Sequence, residues 1–162
     1  MIFDLRSKPQ FIPTLAAWHY EEWSHLYPGE TLEGRIKRME EHLGTAPIPS
    51  MYIWADGQNV IGSAAIVKHD METKPELTPW LANVYVHADY RRSGVGTALV
   101  NHVVQKACEL GYDQLFLYTP HKEDFYLKLG WHTVAKEEFY GEDVTIMKIE
   151  TEQVTVKSES LY

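Results

Sequence analysis

The sequence predicts one α+β domain, α/β-like in its second half, built on a mixed sheet. Three observations carry that expectation. Helical and alternating hydrophobic periods follow one another along the chain. Asp56-Gly57-Gln58-Asn59 sits between two apolar runs, and Asp-Gly tolerates the positive φ of a tight hairpin turn. A buried run from Trp80 leads through a basic, glycine-containing turn into an amphipathic helix.

The elements read in order as follows. Phe11 to Tyr27 carries Leu15, Trp18 and Leu26 at helical spacing and stops at Pro28-Gly29. Thr31 with Gly34 opens a second helix that ends at Leu43-Gly44, with Ile36, Met39 and Leu43 on one face. Pro47 and Pro49 break the pattern. Met51 to Ala55 and Val60 to Val67 are the hairpin strands, and a polar loop runs from His69 to Thr78. Trp80 to His87 is a largely buried strand. Gly94 to Leu110 is a helix ended by Gly111, Leu115 to Tyr118 a short strand, and Glu123 to Leu129 a short helix stopped by Gly130. Trp131 to Tyr140 and Asp143 to Ile149 form a closing hairpin around Gly141. The domain is expected over residues 1–150, with 151–162, rich in Glu, Ser and Thr, as a loose end.

Composition narrows the function classes. With 162 residues, 44% hydrophobic and 23% charged, the chain has the make-up of a globular domain. The net charge of −8 argues against nucleic-acid and anionic-membrane partners, which need a basic face, and suits a cationic substrate. Cys108 is the only cysteine, so no intrachain disulfide can form, and its apolar neighbours predict a buried, inert thiol. Met1 to Pro9 has no apolar signal core, and no apolar run approaches the ~20 residues of a membrane span, so a cytoplasmic location is expected. No spacing of His, Cys or carboxylates suggests a metal.

Leu81 to Thr97, LANVYVHADYRRSGVGT, is the informative segment. A strand runs into a turn holding Arg91, Arg92, Ser93, Gly94, Val95, Gly96 and Thr97, and that turn opens a helix. The combination is an anion cradle. Glycine lets backbone N–H groups approach a phosphate, the first helical turn leaves those groups free, and the macrodipole favours negative charge. No Gly-Lys-Ser/Thr follows, which excludes a Walker loop, and Gly94-Val95-Gly96-Thr97-Ala98-Leu99 lacks the third glycine of a dinucleotide fingerprint.

Val86-His87-Ala88-Asp89-Tyr90-Arg91-Arg92-Ser93-Gly94-Val95-Gly96 resembles the acetyl-CoA-binding motif of the GNAT superfamily of N-acetyltransferases, roughly V-x-P-x-Y-R-G-x-G-[IV]-G. Downstream, Phe125-Tyr126-Leu127-Lys128-Leu129-Gly130-Trp131 is similar to that family's F-Y-x-K-x-G-[FW] segment. Three positions depart from the pattern: Ala88 in place of proline, Arg92 in place of glycine, and Thr119 where many members have an asparagine facing the cofactor.

The resemblance implies a mostly antiparallel central sheet flanked by about four helices, splayed into a V between its fourth and fifth strands. It implies that Val84, Tyr85 and Val86 on the fourth strand offer backbone groups to the pantetheine arm of acetyl-CoA, and that Arg91 to Thr97 hold the pyrophosphate. Tyr126 matches a tyrosine near the thioester sulfur. Chemistry supports that role, because a phenol near ~10 can donate to a thiolate whose conjugate acid lies near ~8.5 as its charge develops. The matching position for a base on the fourth strand is Ala82, so the base stays open among Glu76, Asp70 and His69 in the preceding loop. His87 and His121 are equally ambiguous, and Trp23 and Tyr27 are candidates for the acceptor wall.

The expected function is transfer of an acetyl group from acetyl-CoA to a primary amine of a small cationic molecule or peptide, and a homodimer is compatible with it. No cysteine lies near the motifs to carry the acetyl group, which favours direct transfer. The alternative is a non-catalytic acetyl-CoA-binding or sensing module.

Overall fold

The computed structural model describes residues 1–152; almost all of the expected loose end lies outside them. Among the described residues are seven strands: β1 (Ile2–Asp4), β2 (Ser50–Asp56), β3 (Asn59–Val67), β4 (Trp80–Val86), β5 (Gln114–Thr119), β6 (His132–Phe139) and β7 (Glu142–Glu150). They form one sheet in the order β1-β2-β3-β4-β5-β7-β6, antiparallel except for β4 and β5. Four α-helices accompany it: α1 (Ile12–Trp23), α2 (Leu32–Glu40), α3 (Val95–Glu109) and α4 (Glu123–Lys128). None of the described helices is long and apolar enough to cross a membrane. Every predicted element is present. β1 is an addition, too short to show a period, and it makes Trp80–Val86 the fourth strand.

The sheet is covered on both faces, and its side-chain alternation shows how. Met51, Ile53 and Ala55 of β2 face α1 and α2, where they meet Leu15, Ala16 and Met39. Tyr52 of β2, with Ile61, Ala64 and Ile66 of β3, faces the buried stripe of α3 formed by Leu99, Val100, Val103 and Val104. Covered on both faces, β3 is buried from Val60 to Ile66, with Ser63 the one polar side chain of that run. α2 is capped by Thr31, whose side chain accepts the Gly34 N–H at 3.0 Å.

Both later helices end in the same device. Gly111 has φ 91°, its N–H donates to the Cys108 carbonyl and the Tyr112 N–H to Ala107. In α4, Gly130 has φ 97°, with Gly130 N–H donating to Leu127 and Trp131 N–H to Tyr126. Trp131, 2% exposed, packs on the Tyr126 ring with centroids 5.8 Å apart. The Phe-Tyr-x-Lys-x-Gly-Trp segment is thus a helix stop that locks Tyr126 in place.

The parallel pair hardly forms. β4 and β5 meet only at Trp80↔Phe116, supported by the Phe116 N–H on the Pro79 carbonyl at 3.0 Å. Beyond that point β4 is redirected. Its register with β3 shifts between Ser63 and Ala65, and opposite that irregularity Asn83 takes φ 54°. The strands splay, and the site lies in the opening. At the far end of the sheet Thr151 is buried, with its N–H on the Asp113 carbonyl and its hydroxyl on the Tyr112 carbonyl, so the packed structure reaches one residue past 150.

Candidate active site

One wall of the opening is the end of β4 and the turn into α3. Arg92 has φ 65° and Gly94 φ 87°, an alternation that points successive N–H groups outward as an anion nest. The first turn-to-helix bond is Ala98 N–H to the Gly94 carbonyl, and among the described residues no acceptor takes the N–H groups of Ser93 to Thr97. A Cβ added at Gly94 would meet nothing within 4 Å, so the space on that side of the turn is open. The cradle therefore fits a pyrophosphate.

Its side chains play unequal parts. Arg91 Nε donates to the Val86 carbonyl at 2.9 Å and the guanidinium lies 5.7 Å from the Tyr85 ring centroid, which leaves its two terminal nitrogens for an anion. Ser93 Oγ donates to the Tyr90 carbonyl, so Ser93 offers its backbone. Val95 is a core residue and likewise contributes only its N–H. Arg92 is exposed.

The opening continues into a cavity of about 210 Å³ lined by Trp23, Tyr27, Asp70, Val84, Thr119 and Tyr126, among others. Tyr126 is 7% exposed, and burial pushes its phenol above the ordinary range. No described residue hydrogen-bonds its hydroxyl. Tyr27 and Tyr118 share a hydrogen bond of 2.6 Å across the cavity; burial and then the Asp70 charge push both phenols up. Thr119 Oγ1 accepts the Lys122 N–H at 3.0 Å, which fixes the turn into α4 and leaves its O–H free to donate.

Asp70 is the inner carboxyl of this cavity. Burial pushes it up to about 7, opposed by the nearby Arg35 charge, and it has no hydrogen-bond or ion-pair partner among the described residues. Glu76, the expected candidate base, is exposed and lines neither cavity; the polar loop turns it to solvent and turns Asp70 inward. His69 is exposed and lines only a second cavity, of about 490 Å³. The two cavities share Tyr27, Arg35, Asp70 and Asn83.

Several contributors escaped the sequence. Arg35 reads as a helix-surface charge, yet it is 8% exposed, with its guanidinium 6.0 Å from the Trp23 ring and 5.9 Å from the Tyr27 ring. His19 and Ser63 brace the bulge: Ser63 Oγ donates to the Asn83 carbonyl at 2.8 Å and accepts from His19 Nε2 at 2.9 Å. Burial holds His19 down at about 3, so it stays neutral. Asn83 was the one available signal, since asparagine is enriched in left-handed backbone. Cys108, expected to be buried, is only partly so, and it lines neither cavity.

A protein-family model described as acetyltransferase (GNAT) family matches residues 12–131. Among solved structures, an N-acetyltransferase from Staphylococcus aureus Mu50 superposes with TM-score 0.74 at 16% identity, covering 93% of this chain and 98% of its own. An aminoglycoside 6'-N-acetyltransferase complexed with coenzyme A gives TM-score 0.75 at 16% identity, over 93% of this chain and 97% of its own. The protein yncA from Salmonella typhimurium, with its cofactor acetyl-CoA, gives 0.69 at 14% identity over 93% of each chain. No curated protein sequence matches. At these identities the likeness is one of fold.

Proposed function

The chain belongs to the acetyltransferase (GNAT) family, and from that premise we propose that it moves the acetyl group of acetyl-CoA directly onto a primary amine of a small molecule or peptide. The observation that carries this is the meeting, at one splayed pair of strands, of an unpartnered N–H cradle with a cavity holding a buried phenol and a part-buried, unpartnered carboxyl. Solved relatives in fold include aminoglycoside N-acetyltransferases, which supports an amine as acceptor.

Acetyl-CoA supplies an activated thioester; the residues of this chain bind it and manage protons. The N–H groups of Arg92 to Thr97, with Arg91, hold the pyrophosphate. The edge of β4 at Val84 to Val86, which β5 leaves unpaired, receives the amide groups of the pantetheine arm. Tyr126 presents its hydroxyl to the sulfur. With its acidity weakened by burial, full transfer of its proton to a thiolate is uphill, so it acts as a hydrogen-bond donor to the developing charge. Asp70, ionised in step with neutral pH, takes the proton from the acceptor ammonium. Trp23 and Tyr27 wall the acceptor. The lone Cys108 lines neither cavity, which supports direct transfer over an acetylated-enzyme route.

Calorimetric titration with acetyl-CoA and thiol release against a panel of amines test this together. Saturable binding with turnover on at least one amine is expected. Binding without turnover on any amine would make the chain a binding module, and absence of binding would overturn the assignment.

A further inference from the structure

Arg35 and Asp70 occupy the shared wall of the two cavities; Asp70 has no partner among the described residues, and Arg35 is paired with Glu30 yet keeps buried donors without an acceptor. Arg35 forms its ion pair with Glu30, but the alignment is poor, and both Nε and Nη2 are buried without a hydrogen-bond acceptor. The same Glu30 oxygen also holds Arg38 Nη2 at 2.7 Å. One carboxylate therefore serves two guanidiniums, and a positive charge is left over on this wall. Arg38 is exposed to solvent, so the donor left wanting is the buried Arg35 Nη2, for which Glu30 supplies no acceptor. Asp70 accepts no hydrogen bond and makes no ion pair with Arg35. The other charged residues of the smaller cavity, Glu22 and Lys122, are exposed at its mouth.

A buried guanidinium donor and a part-buried carboxyl that face the same space without pairing are complementary to a ligand carrying both charges. We propose that the acceptor is a zwitterion of amino-acid type, its carboxylate held by Arg35 and its ammonium by Asp70, with its side chain in the larger cavity. The inference rests on the acetyltransferase reading and sharpens its acceptor. The placement is consistent with the chemistry. The smaller cavity is lined by Arg35, Asp70 and Tyr126 alike, so an amine at Asp70 shares a chamber with the phenol that faces the thioester. The larger cavity, about 490 Å³, is lined by Met39, Met51 and Val67 together with Arg38, Glu41 and Lys68, room for a side chain of mixed apolar and polar character.

The test is a set of matched trios, each an amino acid, its carboxamide and its decarboxylated amine, measured by thiol release at fixed acetyl-CoA. Compared per neutral amine, the free acid should lead both partners in kcat/KM by roughly 10- to 100-fold, because either partner leaves the buried Arg35 Nη2 without an acceptor. R35Q should collapse that ratio toward one, while R35K, which keeps charge and loses the fork, should give an intermediate value. If R35Q does not fold, the ratio in the unaltered protein still decides. A carboxamide or plain amine turned over as well as its acid overturns the zwitterion while the acetyltransferase reading stands. Turnover confined to amines without a carboxylate does the same. Failure of acetyl-CoA to bind in calorimetry overturns both.

Discussion

Replacing Asp70 by asparagine separates the contribution of that carboxyl to stability from its contribution to turnover. Burial raises its pKa from 3.8 to about 7, so the folded chain holds a proton that the unfolded chain has released between those two values. Its stabilising contribution is complete below 3.8 and is lost as pH rises through about 7. A little over three decades at 1.36 kcal/mol each sets an upper limit of about 4 kcal/mol, lowered by solvent at the cavity mouth. The amide introduced by D70N is nearly isosteric with the protonated acid and never ionises. Urea unfolding of both proteins from pH 4 to 9 should therefore give matching midpoints at the acid end and a widening advantage for D70N up to about pH 7.5, then constant. His19 and His42, pushed down from 6.5 by burial, destabilise both proteins alike as pH falls below that value and so cancel in the difference, while Tyr27 and Tyr118 are pushed up and titrate above the window. Turnover should move the opposite way. Log kcat/KM in the unaltered protein should rise with pH to a bend near 7, and D70N should lose both that limb and roughly 10²–10⁴ of the rate. A variant no more stable at pH 8, or a stability difference independent of pH, refutes the buried ionisation. Full turnover in D70N refutes the base.

Tyr126→Phe removes only a hydroxyl that no described residue binds, so stability and acetyl-CoA affinity should hold while kcat falls roughly 10²–10³-fold; unchanged turnover would reduce Tyr126 to packing. In the cradle, Gly94→Glu should abolish calorimetric binding, because it forces a side chain onto φ 87° and sets a negative charge in the open space on that side of the turn. Gly96→Ala is its contrast: the added Cβ would lie 3.5 Å from Val86 Cγ2 and 3.7 Å from Phe125 Cζ, ordinary contacts. Helix propensity should then raise stability by up to about 1 kcal/mol with affinity retained, and a loss of affinity there would show that the nucleotide reaches closer than the cradle implies. Ser63→Ala leaves the buried Asn83 carbonyl and His19 Nε2 without their partner, which should cost about 1–3 kcal/mol in denaturant unfolding and weaken acetyl-CoA binding as the bulge relaxes. Unchanged values would show that the bulge holds itself.

Features whose causes are local could be read along the chain before any fold was known. Gly57, Gly111 and Gly130 take the positive φ that their turns need, and the Arg91 to Thr97 run announces an anion at a helix start, because spacing and backbone freedom are properties of neighbours along the chain. Tyr126 was legible for the same reason, since the helix stop at Gly130-Trp131 that locks it lies within five residues. Which charges face inward depended on tertiary packing alone. Glu76 and Asp70 stand six residues apart in one polar loop, and nothing in their spacing says that one is solvated and the other desolvated by the cavity wall. Arg35 sits in a helix whose polar pattern looks exposed, and only the packing of α2 beneath Trp23 and Tyr27 buries it. β1, three residues long, has no periodicity of its own and exists because β2 offers it a free edge. Desolvation depends on atoms brought together from distant parts of the chain, so the charges that would choose an acceptor become visible only after the strands have splayed and the helices have closed over them.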